Sequence, residues 1–137
     1  MSNLSSYINV KLKDGRVATV FCHKEGNYDN VGKLLKMYYN SQELAESLVA
    51  MGDLSILGEY MTRPVGHTYE NPVSGHCVFY YRDRGDTLKI KRSYSAMMSA
   101  EFSYLWNGSE WLGLDCKVDD LNKGFHPFEH SQSCEIQ

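Results

Sequence analysis

The chain has 137 residues, a formal net charge of −3, ten tyrosines and four cysteines. That length fits one domain able to bury its own core, and the acidic balance argues against a direct nucleic-acid partner held by phosphate contacts. No apolar run approaches the roughly 20 residues of a membrane span, and the N-terminal stretch MSNLSSYINVKLKD lacks the basic start and apolar centre of a secretory signal. The chain is therefore expected in a cytoplasm, with Cys22, Cys77, Cys116 and Cys134 as reduced thiols.

Residues 7–13 alternate, with Ile8, Val10 and Leu12 on one face and Asn9, Lys11 and Lys13 on the other, the period of a half-buried strand. Asp14-Gly15 supplies a tight turn, and residues 16–23 return as the second strand of a hairpin. After a loop, KEGNYDN, either Asp29 or Asn30 caps a helix carrying Val31, Leu34, Leu35 and Tyr38 at helical spacing. Asn40 ends that helix and caps the next, with Glu43 completing a capping box, Leu44, Leu48 and Met51 as the buried stripe and Gly52 as the stop. Residues 53–58 read as a turn or a short extra helix.

Residues 59–76 hold two prolines and two glycines and predict a long irregular loop with a short strand near Tyr60. His76–Tyr81 is rich in β-branched and aromatic residues and predicts a strand, RDRGD a charged turn, and TLKIKRSY another strand. Asn107-Gly108-Ser109 joins 101–106 to 110–115 as a second hairpin. Strands, then two helices, then strands predict an α+β fold: an antiparallel sheet of at least four strands, built from two or more hairpins, with two short helices on one face. Residues 1–117 are expected to form the domain and 118–137 a loosely ordered polar tail.

Three clusters carry potential chemistry. Cys22-His23 and His76-Cys77 are adjacent pairs, which on a strand point to opposite faces and lack the spacing of zinc ligands. His126 and His130 are four apart, but Pro127 lies between them and no HExxH pattern is present. No metal site, cofactor or catalytic residue is therefore assigned. The third cluster is Arg82-Asp83-Arg84-Gly85-Asp86, where arginine suits bidentate recognition or an interface, and where the aspartates equally suit an internally paired turn.

The motifs Cys22-His23 with Gly26 and Tyr28, then Gly32, Leu34 and Leu35, then Gly52-Asp53-Leu54-Ser55 with Leu57-Gly58, and finally Tyr81-Arg82-Asp83-Arg84-Gly85, together resemble a family of small bacteriophage- and prophage-encoded proteins to which no activity is attached. The late YLW and NGSEW stretch is similar too, and the resemblance covers about residues 7–113. Asn27 makes the loop after Cys22-His23 one residue longer than the family pattern, the 62–76 loop is also longer, and nothing beyond Lys117 has a counterpart. The resemblance implies a phage accessory protein in the host cytoplasm. It implies a non-enzymatic protein that binds a host protein or complex, with an anti-defence inhibitor, for example of a CRISPR effector, as its most concrete form. The expected binding residues are His23, Tyr28, Arg82, Asp83 and Arg84, gathered where the 23–28 loop and the 82–86 turn meet at one end of the sheet. The competing expectation is a small-molecule or nucleotide pocket, with or without catalysis, formed near His23, Tyr28 and Arg84.

Overall fold

The computed structural model describes residues 3–131. The first hairpin forms as its alternation dictates: β1 (Ser6–Lys11) runs antiparallel to β2 (Val17–Cys22). Ile8, Val10, Ala18, Val20 and Cys22 share one face and are buried. The chain then crosses this face as one π-helical turn (Tyr28–Gly32) that continues into α1 (Lys33–Tyr38), followed by α2 (Gln42–Val49). Val31, Leu35, Tyr39, Ala45, Leu48 and Val49 complete the core from the helical side. Tyr39, not Tyr38, is the buried tyrosine, and Leu44 is 42% exposed. Ser41 replaces Asn40 as the cap of α2, its Oγ accepting the Leu44 N–H at 3.1 Å. With the cap at Ser41, Glu43 stands one position short of a capping box.

The remaining elements are β3 (Leu54–Ile56), β4 (Val78–Phe79), α3 (Tyr80–Arg84), β5 (Lys91–Ser93), β6 (Phe102–Trp106) and β7 (Trp111–Asp115). Among the described residues the strands form one seven-stranded sheet in the order β4-β3-β2-β1-β6-β7, with β5 also pairing with β2. The α+β class is as expected, but the sheet is mixed: β1 runs parallel to β6, and β2 parallel to β3. Turn chemistry fixes pairing inside each hairpin, whereas the direction in which one hairpin docks on the other is set by packing between distant residues. Among the described residues there are three short α-helices where two were expected. No helix among the described residues is long and apolar enough to cross a membrane.

The expected strand over 76–81 is only Val78–Phe79, and the chain turns helical at Tyr80. A local cap overrides β-propensity here. The Asp83 carboxylate accepts the Phe79 N–H at 2.8 Å, and Gly85, at φ 80°, ends the helix in the left-handed conformation. The expected strand over 87–94 is likewise confined to Lys91–Ser93.

The sheet's second face is only partly covered. Buried Asn9 donates to the carbonyls of Met97 and Tyr104 at 3.1 and 2.9 Å, and its Oδ1 accepts from Met97 N–H and Thr19 Oγ1 at 2.9 and 2.6 Å. Every polar atom of this buried amide is used, so the segment around Met97 is fastened over β1. The end of β2 beside it stays open.

The segment beyond Lys117, expected as a polar tail, contributes Phe128 to the core. Its ring stacks on Tyr28 at 4.8 Å and meets the edge of Tyr104 at 5.4 Å, and Lys36 lies over it at 4.1 Å. Backbone bonds between Gly113 and His126, at 2.8 and 3.0 Å, tie this segment to β7. One aromatic anchor among polar residues makes no periodic pattern, which is why composition alone missed it. Residues 132–137, including Cys134, lie outside the described residues. Phe128→Ala is expected to lower the unfolding free energy by about 3 kcal/mol in urea titration. An unchanged midpoint would mean that this segment does not pack as described.

Candidate groove on the strand face

The open end of β2 becomes a groove because three elements converge on it. Phe21 and Tyr7 lie side by side on the second face, Asp53 and Ser55 come from β3 and the residue before it, and α3 with residues 86–91 forms the far wall. Two concavities, of about 440 and about 570 Å³, share Phe21, Asp53 and Lys89 and so form one trough.

Its floor is a chain of rings. Tyr7 meets Phe21 at 5.4 Å, Phe21 meets His23 at 5.1 Å, His23 meets Tyr80 at 6.0 Å, and Tyr80 meets Tyr69 at 5.8 Å. The first three contacts are edge to face, the arrangement favoured by ring quadrupoles. The Tyr80 hydroxyl and His23 Nδ1 are 2.9 Å apart. Burial is the main reason that the Tyr80 phenol titrates above its usual range. The Arg84 guanidinium lies over both Tyr80 and Tyr69, at 4.4 and 4.7 Å, a cation–π placement that uses its flat face. Its edge makes a two-point contact with Asp86, Nε to Oδ1 at 3.0 Å and Nη2 to Oδ2 at 2.6 Å. That pairing raises the Arg84 pKa and lowers that of Asp86.

The other groove carboxylate is also engaged, since Asp53 Oδ1 accepts the Phe21 N–H at 2.9 Å. Lys24 and Lys89, by contrast, enter no salt bridge among the described residues. Four cationic side chains, Lys24, Arg84, Lys89 and Lys91, stand against the two carboxylates Asp53 and Asp86, so the trough is net positive on a chain of charge −3.

The five expected binding residues divide three ways. His23 and Arg84 share the trough. Arg82 and Asp83 do not reach it and form an inward clasp. Asp83 is fully buried, and Arg82 meets it at 2.8 and 3.1 Å while also donating to the carbonyls of Met61 and Cys77. Arg63 lies 3.7 Å from the same carboxylate. His67 accepts the Val73 N–H on Nδ1, which leaves its Nε2 proton facing Asp83 Oδ2 at 3.4 Å, outside hydrogen-bond geometry. Burial works to raise the Asp83 pKa, but Arg82 and the Phe79 N–H outweigh it, and the carboxyl sits below its ordinary value. Tyr28 lies elsewhere, over β6 against Phe102 and Phe128, with its hydroxyl 3.5 Å from Asp119. There Asp119 and His126 pair at 2.7 Å, which lowers the pKa of the acid and raises that of the imidazole.

In each adjacent Cys/His pair the cysteine is buried and the histidine is not, although only Cys22 stands in a strand. Cys22 faces the core, where burial pushes its thiol up to about 12, and burial also raises Cys77. Such thiols are poor nucleophiles at neutral pH. Among the described residues no three His, Cys, Asp or Glu side chains converge as a metal site would need. Sequence reading missed Tyr69, Tyr80, Asp53 and Lys89: Tyr80 was hidden in an apparent strand and Tyr69 in a loop without periodicity. The Gly52-Asp53 motif was the one available signal for this edge.

No family model matches the chain, and no curated protein or solved structure shows significant similarity to it.

Asp83→Asn is expected to cost on the order of 3 kcal/mol by chemical denaturation, because it breaks a buried charged cluster, whereas Asp86→Asn should leave the midpoint nearly unchanged. The Asp83 carboxyl is held below its ordinary 3.8. Its contribution is therefore present above that pH and is lost as pH falls through the lower folded-state value. The gap between wild type and Asp83→Asn should close in acid. A gap that is the same at pH 3 and pH 7 would contradict the clasp.

Proposed function

We propose that the chain is a non-enzymatic binding protein that holds part of a host macromolecule in the strand-face trough. The observation that carries this reading is the trough itself: a net-positive concavity floored by five rings and built on strands, with Lys24, Lys89 and Lys91 outside every salt bridge among the described residues. Aromatic and arginine side chains supply large contact area and are enriched where binding energy concentrates. The resemblance to phage-encoded proteins supports an accessory role toward a bacterial host protein or complex. An inhibitor of a host defence assembly is the form of that role it favours.

The small-molecule reading keeps His23 and Arg84 in one pocket but loses Tyr28, which stands over β6. The trough also runs on past that pocket along Leu88, Ile90 and Met97, farther than a single small ligand needs. That continuation favours a partner with length.

Affinity capture from a bacterial lysate on immobilised protein tests the reading. Wild type is expected to retain a partner that both Tyr69→Ala and Lys89→Glu release, with all three proteins melting alike. Retention that survives both substitutions would place the binding surface elsewhere.

A further inference from the structure

The trough presents its chemistry in a fixed order. At the α3 end, Arg84 is already engaged by two tyrosine rings and, through Nε and Nη2, by Asp86. Lys24 lines the first concavity beside the rings and Lys89 stands where the two concavities meet; neither enters a salt bridge among the described residues, although, after Arg84, the Lys89 charge helps to lower the Asp86 pKa. Beyond Lys89 the lining becomes more apolar, with Leu88, Ile90 and Met97 beside Lys91, whose ammonium lies 3.2 Å from the Met97 sulfur. A complementary ligand therefore places negative charge over the middle and an apolar group beyond it.

We propose that the occupant is an acidic polypeptide segment of a partner protein, its carboxylates meeting Lys24 and Lys89 and a neighbouring apolar side chain resting between Leu88 and Met97. This rests on the trough being the binding surface. Charge complementarity selects an acidic partner, because the trough is net positive while the chain as a whole is net negative. A single-stranded nucleic acid fits less well. Such ligands need base-stacking faces and a basic track for successive phosphates, whereas the rings here are spent edge to face on one another and Asp86 lines one wall.

The test is fluorescence anisotropy on the full chain with three probes of equal length: a peptide alternating Glu and Leu, its Lys and Leu counterpart, and an oligothymidylate. The Glu and Leu peptide is expected to bind best, to weaken as salt is raised, and to lose about tenfold in affinity in the Lys24→Glu/Lys89→Glu double variant. Thermal melting checks that the variant is folded, and amide chemical shifts locate each probe. Tighter trough-dependent binding of the oligothymidylate would overturn the acidic-peptide assignment. So would trough binding of the Lys and Leu peptide, and in both cases the trough would stand as a binding surface. If no probe shifts trough amides, the assignment falls. If partner capture also ignores trough substitutions, the underlying reading falls with it.

Discussion

The outer edge of β2 sets the rest of the architecture. Its outward-facing amides need acceptors, because a buried unpaired N–H costs as much as a lost hydrogen bond. Thr19 is paired with Lys91 of β5, and the His23 N–H is met by the Leu54 carbonyl at 3.1 Å. Phe21 lies between them with no strand beside it, and the Asp53 carboxylate accepts its N–H at 2.9 Å. One side chain thus stands in for a missing rung of the ladder. That substitution lets β3 and β5 approach β2 from different directions, one parallel and one antiparallel, without joining each other. The gap between them is the trough. Gly52 belongs to the same device. It sits at φ 81°, and a Cβ there would come within 2.7 Å of Leu88 Cδ1. The left-handed backbone of the turn that aims Asp53 at β2 therefore favours glycine, and any larger residue would also displace the Leu88 side chain.

The charged run after β4 performs two separate tasks within five residues. Arg82 and Asp83 point inward and gather Arg63, His67 and the backbone around Met61 and Cys77. This braces the long 59–76 segment, which has few strand contacts of its own beyond the bridge between Tyr60 and His76. Bracing is what delivers Tyr69 to Arg84. Arg84 and Asp86 point outward and organise the trough wall. A site whose rings are fixed by packing and by a buried charge cluster loses little freedom on binding, the main route by which modest contact area yields affinity.

Much of the local structure was legible in the sequence, and the reason is consistent. Both hairpins, the two helices over the core face and the irregular 59–76 segment follow from period, turn residues and composition, which act over a few positions. The parallel pairings were not legible, because β1 and β6 are joined by contacts between residues such as Ile8 and Tyr104 that no local signal links. The helix at 80–84 was hidden for a different reason: Tyr80 and Tyr81 favour strands, and only the reach of Asp83 back to the Phe79 N–H reverses that preference. For the site, a meeting of His23 with the 82–86 turn was expected from the places of His23 and Arg82 at strand ends, and His23 and Arg84 do line one concavity, while the inward roles of Arg82 and Asp83 were not legible. Residue type shows that a charged turn needs partners, but only the fold decides whether those partners lie inside or outside. Tyr28 shows the same limit, since its stacking partner Phe128 stands in a stretch that composition marks as polar.

The claim on which the trough depends is that the Asp53 side chain completes the β2 edge. Residue-resolved amide hydrogen exchange by NMR measures this directly. In the wild-type protein the Phe21 amide should exchange slowly, as the paired Thr19 and His23 amides do. In Asp53→Ala, Phe21 should lose its protection selectively while Ile8 and Val10 on β1 keep theirs. A Phe21 amide that stays equally protected in Asp53→Ala would contradict the account.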